Sequence, residues 1–290
     1  MKNKLSVVLA TRNEEANIGP CLASVKGLAD DIVVVDEEST DKTCEIAKKY
    51  GARVFSEPHE EVFHITKQKA LDKAKGEWIL QLDADERVTP ELAKEIREII
   101  DMTEEELKKR KLPKRKMKLF ERHQKLIEER DGEIGKGKGE VVGFFIPRRN
   151  MFLGEPLIHA GVYPDGVIRL VKNGKAHFPA KSVHEQIELE GKVSWLAHDL
   201  EHHDSPTFSR YLSRANRYTS FTVSQMKKGN LPKNALQLLY YSTLKPLIVF
   251  LKLYFLHKGI LDGMRGFIWS TFSALHFPIA YFKYWGGGEK

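Results

Sequence analysis

The chain is poor in cysteine, with two among 290 residues, Cys21 and Cys44. Two thiols exclude a disulfide framework and a four-thiolate zinc site, and they fit a reducing compartment. No apolar run of signal-peptide length precedes the first strand-like segment, LSVVLA from Leu5, so no export signal is expected. Internal repeats are absent. No glycine fingerprint follows that first segment, so backbone cradling of a nucleotide phosphate is not the main device. Acids are nearly missing from the C-terminal part: residues 205–290 hold twelve Lys or Arg against Asp262 and Glu289. Residues 1–204 carry 35 basic and 38 acidic groups, so the net +7 of the chain comes from its tail. Such asymmetry points to an anionic partner, nucleic acid or an acidic membrane.

What is present begins with alternating strand and helix signals, in a chain long enough for one large domain with appendages. Leu5–Ala10 reads as a buried strand. Ile18, Leu22, Val25 and Leu28 follow at helical spacing, with Pro20 in the first turn. Ile32–Asp36 (IVVVD) is a second strand; Ser39 or Thr40 is placed to cap the next helix, and Gly51 to end it. Trp78–Leu82 is a third strand, and Thr89-Pro90-Glu91 opens another helix with a cap, an N1 proline and an early acid. This order implies a mainly parallel sheet wound in the Rossmann manner. Residues 101–140 are a dense mix of both charges with a narrow apolar stripe (Leu119, Phe120, His123, Leu126, Ile127). They read as a solvated helical hairpin broken near Pro113, more simply a surface excursion than an acceptor-gating lid.

Ligands of open α/β sheets bind beyond the carboxyl ends of the strands. Three strands end in polar clusters: Thr11-Arg12-Asn13-Glu14, Asp36 to Asp41 (DEESTD), and Asp83-Ala84-Asp85-Glu86. If the strands are neighbours, the clusters share one crevice. In Asp83-Ala84-Asp85, alternate residues of an extended segment face the same way, so both carboxylates aim together. Mg²⁺ or Mn²⁺ needs only one or two carboxylates when a diphosphate supplies the remaining oxygens. Asp36 has two open readings, as the cap of the next helix or as an acceptor for a nucleobase or ribose.

The segments LSVVLATRNEEANI, VVVDEESTD and GEWILQLDADE resemble the donor half of family 2 glycosyltransferases, which have the GT-A fold. GFFIPRRNMFLG, GVYPDGVIRL, SVHEQ and LEHHDSPTFSRYL resemble one bacterial subgroup, the lipopolysaccharide core β-1,4-glucosyltransferases. The resemblance implies that Thr11, Arg12, Asn13, Glu14 and Asp36 surround the nucleoside. Lys67 and Gln68 stand where the family often has Arg-Asn. By the same resemblance Asp83 approaches the ribose or the metal, and Asp85 the metal and diphosphate. Inverting transfer to a hydroxyl needs a general base; Glu185 of Ser-Val-His-Glu stands where the family places it. Asp165 is the rival, although Pro-Asp-Gly reads more simply as a turn. His202 matches the subgroup histidine nine residues before a tyrosine, here Tyr211, so His202, with His203 beside it, is a candidate for the metal or diphosphate. Two departures stand out: DEESTD replaces the commoner DDGSTD, and the 101–140 excursion is longer than the family pattern.

Leu236–Leu256 and Phe267–Trp285 are the most apolar stretches. Lys245, Pro246 and Lys252 interrupt the first, and the second falls short of a span. Their aromatic content and positive surroundings favour interfacial helices over a packed helical core or a dimer contact. The sequence therefore reads as an α/β GT-A domain over 1–204 and a basic, aromatic-rich α-helical membrane-associating region over 205–290. The expected activity is metal-dependent, inverting transfer of a hexose from a nucleotide sugar, a UDP-sugar, to a lipid-linked or core saccharide at the cytoplasmic face of the membrane. A nucleotidyltransferase or other nucleotide-sugar enzyme using the same Asp-x-Asp chemistry is one alternative. A nucleic-acid-binding module is a distant third, since it leaves the acidic strand ends without a purpose. No nucleic acid is expected as a partner, and oligomeric state is not legible.

Overall fold

The computed structural model describes residues 4–135, 139–179 and 187–287. Internal contacts divide the chain into two units, Met1–Arg148 with Pro164–His202, and Arg149–Tyr163 with His203–Lys290.

In the first unit the strands β1 (Leu5–Thr11), β2 (Asp31–Asp36), β3 (Arg53–Ser56) and β4 (Trp78–Leu82) alternate with helices α1 (Glu15–Ser24), α2 (Thr43–Lys49) and α3 (Phe63–Asp72). After β4 come β5 (Glu86–Val88), the helices α4 (Pro90–Asp101), α5 (Glu104–Lys109) and α6 (Lys114–Asp131), and strands β6 (Val141–Phe152), β7 (Glu155–Pro156) and β8 (Asp165–Lys172). The strands β9 (Ala176–His177), β10 (Glu188–Leu189), β11 (Lys192–Trp195) and β12 (Leu200–Ser205) complete the sequence. The main sheet runs β3-β2-β1-β4-β8-β6-β12-β5. Its first four strands are parallel, and β8 returns antiparallel to both β4 and β6. Every residue of β1 is buried, as a central parallel strand covered on both faces requires. Thr11 pairs with Asp36, and Leu9 with Leu82, so the three polar strand ends do emerge at one edge of the sheet.

Local readings fared unevenly. Thr89 caps α4 through Leu92 N at 3.2 Å, with Pro90 at its start, as expected. Helix α1 begins at Glu15, so Pro20 lies inside it rather than in the first turn, where it removes one backbone bond and crowds the carbonyl four residues back. Neither Ser39 nor Thr40 caps α2. That helix starts later, at Thr43, and Asp41 takes the Thr43 N–H at 2.9 Å, because Ser39 is already committed to the loop described below. Gly51, at φ +80°, does end the helix.

Pro113 separates α5 from α6, but α6 is less solvated than a surface hairpin would be. Phe120 and Ile127 are buried, while Leu119 and Leu126 point outward. Phe120, His123 and Ile127 recur at i, i+3 and i+7, one face of a helix. Phe120 stacks on Trp195 with ring centroids 4.5 Å apart, and Phe145 takes the other flank at 4.7 Å. Asp165 and Gly166 open β8 instead of forming a turn. The glycine is needed for space: a Cβ there would sit 2.3 Å from the Trp195 ring, and its N–H donates to His123 Nε2 at 3.0 Å.

The second unit is helical apart from short strand segments. It contains α7 (Phe208–Lys228), then a continuous 22-residue helix, Ala235–Leu256. That helix is built of α8 (Ala235–Leu239), a π turn at Tyr240–Leu244, α9 (Lys245–Leu251) and a second π turn at Lys252–Leu256. A 3₁₀ turn (Gly259–Asp262) leads into α10 (Gly263–Trp285). A side chain at Gly266 would come within 1.8 Å of the Gly259 carbonyl oxygen, so the start of α10 can pack on that turn only as glycine. Val223 and Met226 of α7 pack with Ala280, Tyr281 and Tyr284 of α10.

Candidate active site

The parallel strand ends converge as the sheet register requires, and the residues there are charged and mostly withdrawn from water. Asp83 follows β4. Its Oδ1 meets Lys67 Nζ at 2.6 Å and its Oδ2 meets Arg169 Nη2 at 2.5 Å. Lys67 comes from α3 and is itself buried. Arg169 rises from the middle of β8 and also binds Glu86 Oε1 at 2.8 Å and Gln81 Oε1 at 2.5 Å. Glu86 is wholly buried and takes the Asp83 N–H at 2.9 Å. Arg148, from β6, reaches Glu86 Oε1 at 3.3 Å and Asp165 Oδ2 at 2.6 Å.

Charge matching makes one carboxylate different. Asp83, Glu86 and Asp165 each face a Lys or Arg. The ion partner of Asp85, among the described residues, is His202, whose Nε2 lies 3.5 Å from Oδ2. Burial pushes the Asp83 carboxyl up, but Arg169, Lys67 and Arg148 outweigh it and hold it well below the usual carboxylate range. Burial also raises Asp85, and the hydrogen bond and charge of His202 bring it below its ordinary value. Both stay ionised at neutral pH. Asp85 thus carries the negative charge that the permanent cations of the cluster leave least compensated. Among the described residues no group of three or more His, Cys, Asp or Glu side chains gathers as a cation cage. The donor set fits a hard cation whose remaining oxygens come from a diphosphate: Asp85 first, with Asp83 beside it. His202 is within reach of Asp85. His203, next along β12, leaves the opposite face of the strand.

The loops after β1 and β2 are knitted together. Asn13, at φ +54°, donates its N–H to Ser39 Oγ at 2.7 Å and accepts from Thr40 N at 2.8 Å. Asp36 is buried and accepts from Thr11 Oγ1 at 2.9 Å, Ser39 Oγ at 2.6 Å and Ser39 N at 2.8 Å. Burial and a hydrogen bond to Asp36 push the Cys44 thiol up to about 11. A carboxylate offers about four lone-pair sites, so a nucleoside would have to displace one of these donors. Asp36 therefore does not cap α2, and its carboxylate holds the loop. Glu37, also buried, ties the same loop to His59 Nδ1 at 2.6 Å and to the Thr66 hydroxyl of α3. The Glu14 backbone N–H donates to Thr43 Oγ1 at 2.7 Å, and its carboxylate accepts from Asn17. Arg12 is exposed.

Gln68 is not brought to this cluster. Its amide is spent on Phe178 N, at 2.8 Å, and Asp72, at 2.6 Å, on the side of α3 away from Lys67. Glu185, with the rest of 180–186, lies outside the described residues. Arg148, Arg169 and Gln81 are not singled out by the sequence, and Glu86 is marked there only as the end of the acidic cluster after β4. A legible signal existed for Arg169, since a guanidinium within the apolar strand run Val167–Val171 must be paired with a buried acid.

The Rossmann-like β3-β2-β1-β4 half-sheet, with its acidic turn beyond β4, is that of a glycosyltransferase of the GT-A fold. The chain belongs to glycosyl transferase family 2, whose match spans residues 6–155. It is similar to the lipopolysaccharide core biosynthesis glycosyltransferase LpsC of Rhizobium meliloti, 27% identical over 95% of this chain and 89% of that protein. An uncharacterized glycosyltransferase of Rickettsia bellii is 42% identical over 33% of this chain and 32% of its own length. Among solved structures, glucosyl-3-phosphoglycerate synthase from Mycobacterium tuberculosis, in complex with Mn²⁺, UDP and glucosyl-3-phosphoglycerate, is 30% identical over 29% of this chain and 34% of that one, at a TM-score of 0.27. The chain therefore spans about a third of the rickettsial and mycobacterial proteins and most of the rhizobial one.

One departure from the family pattern has an energetic consequence. Glu38, where the commoner DDGSTD has glycine, adopts φ +52°. An L side chain in that region costs about 1–2 kcal/mol, against about 0.5–1 kcal/mol of extra chain entropy for glycine. Glu38→Gly is expected to raise the denaturant midpoint by a net gain of about 0.5–1 kcal/mol; a fall in the midpoint would show that the Glu38 side chain stabilises the loop by more than its strain.

Proposed function

We propose that this chain is an inverting hexosyltransferase. It moves a hexose from a UDP-sugar to a lipid-linked or lipopolysaccharide-core saccharide at the cytoplasmic face of a membrane. The observation that carries this reading is the uneven charge balance beyond β4: Lys67, Arg148 and Arg169 pair with Asp83, Glu86 and Asp165, while the ion partner of Asp85 among the described residues is His202, with the charges of Arg148 and Arg87 acting from farther off. A bound Mg²⁺ or Mn²⁺ supplies charge neutralisation for the departing diphosphate. Asp85 is its principal ligand, with Asp83 and His202 in support. Thr11, Arg12, Asn13 and Glu14 border the nucleoside, held by the loop that Asp36 organises, and Lys67 and Arg169 fix the orientation of Asp83. The likeness to LpsC over nearly the whole chain supports a saccharide of the lipopolysaccharide core as acceptor.

Glu185 takes the proton of the acceptor hydroxyl as the new bond forms at the anomeric carbon and the bond to the diphosphate breaks on the opposite face. The case for Glu185 rests on its motif. Asp165 is a poorer base because two Arg148 nitrogens, at 2.6 and 2.9 Å, hold one of its oxygens. Two outcomes are expected. Asp85→Ala abolishes Mn²⁺-dependent binding of UDP, read by thermal stabilisation, with the circular dichroism spectrum intact; undiminished binding would refute the metal assignment. Glu185→Gln retains donor binding but lowers transfer by about 10²–10⁴-fold, whereas Asp165→Asn costs much less; the reverse order would hand the role to Asp165.

The membrane part of the proposal rests on exposure. Helix Ala235–Leu256 is long and apolar enough to cross a bilayer, and none of it is buried. Leu239, Leu247 and Leu251 are 62%, 55% and 45% exposed, and Met264, Phe282 and Trp285 add to the apolar surface of this unit. An apolar area this extensive marks an interaction surface. Of the two charges in the helix, Lys252 is exposed and Lys245 turns inward: its Nζ lies 4.3 Å from the Phe277 ring centroid and 4.6 Å from that of Tyr241, a cation–π enclosure. The surrounding positive charge favours anionic lipid. Removing the helix would strip the packing from α10, so substitution is the cleaner test. The triple replacement of Leu239, Leu247 and Leu251 by Glu is expected to release the protein from anionic vesicles in flotation while leaving UDP binding unchanged. Retained flotation would remove the membrane role from this helix.

A further inference from the structure

The second unit encloses a cavity of about 440 Å³, within the range of about 300–1,000 Å³ typical of small-molecule sites. Five of its walls are aromatic: Tyr211, Tyr218, Trp269, Phe272 and Phe277. Five others are polar: Asp204, Ser205, Arg214, Ser273 and His276. Only Ala215 and Val249 are aliphatic. The rings are fixed by one another, Tyr211 lying 5.8 Å from Trp269 and 6.0 Å from Phe272 between centroids. The polar groups are fixed too. Arg214 pairs with Asp204 and donates to Ser205 Oγ at 3.1 Å, and His276 Nε2 meets Thr222 Oγ1 at 2.9 Å.

We infer that this cavity binds a saccharide ring of the acceptor, an inference that rests on the transferase reading above. An aromatic face carries negative potential, which attracts the C–H edges exposed on one side of a pyranose. The ring hydroxyls need planar donors and acceptors at set angles, and a carboxylate and a guanidinium locked together provide both. The exposed lining is mostly apolar, so the rings supply the contact area and the Asp204–Arg214 pair the orientation. A second cavity of this unit, of about 610 Å³, is lined by four leucines together with Gln237, Tyr240 and Thr243.

The test uses a soluble core oligosaccharide freed from lipopolysaccharide by mild acid, titrated against the full chain without nucleotide while tryptophan emission and calorimetric heat are followed. Sodium dodecanoate is the lipid-chain control, and UDP with Mn²⁺ is titrated in a separate sample. The oligosaccharide is expected to bind saturably. Tyr218→Ala, at a residue 54% exposed, should weaken that binding about tenfold, as truncation of an aromatic anchor does. Ala215→Phe, which fills the cavity, should abolish it, and a variant counts only if its helical circular dichroism matches the parent. Binding of dodecanoate in place of the oligosaccharide, no binding of the oligosaccharide, or oligosaccharide binding indifferent to both variants would overturn the inference. Failure of the parent to bind UDP with Mn²⁺ would instead count against the transferase reading, and oligosaccharide binding sensitive to the two variants would still support the cavity as a saccharide site.

Discussion

The first unit depends on Arg169 placing one guanidinium among Gln81, Asp83 and Glu86. Ionised groups taken out of water cost several kcal/mol each unless they are paired and hydrogen-bonded, and Glu86 is completely buried. Arg169 meets that requirement from β8, while Glu86 in turn receives the Asp83 N–H and so shapes the Asp83–Glu86 turn. The strand that returns antiparallel beside β4 is therefore what allows an acidic turn to exist there. The same bonds leave Asp83 ionised and fixed, with 29% of its side chain still open to solvent, and they leave Asp85 as the group whose charge a cation can claim.

A second constraint acts on the nucleoside side. Asp36 and Glu37 are acids by composition but structural clasps in use. Asp36 closes the Asp36–Ser39 turn and fastens Thr11. Glu37 joins that turn to α3 through Thr66, one position before Lys67, and to the preceding loop through His59. Loops that must present atoms to a ligand gain precision when their own polar groups are already satisfied. The φ +52° of Glu38 is the strain this loop tolerates in keeping the shape that glycine adopts freely. In the second unit the comparable constraint is Lys245, whose charge is met by aromatic faces instead of an acid, while Lys252 of the same helix is exposed.

The amino-acid sequence by itself determined the strand–helix alternation, the half-sheet, the cap at Thr89 and the acidic turn after β4. These follow from apolar period, capping chemistry and turn residues, which act over a few positions. It also carried the basic, aromatic character of the tail. Only the tertiary structure decided how the charges pair. Asp83, Glu86 and Asp165 look equivalent to Asp85 in a list, and Arg148 and Arg169 lie more than sixty positions from the acids at 83–86; which carboxylate keeps its charge depends on contacts a few ångströms long between residues remote in the chain. Likewise Leu119 and Phe120 are neighbours of equal apolarity, yet only Phe120 meets Trp195, because the helix phase is set by the sheet it packs on. Gln68 and Lys67 are adjacent in a motif, and α3 sends one into the acidic cluster and the other to Phe178, since consecutive residues of a helix leave it about 100° apart.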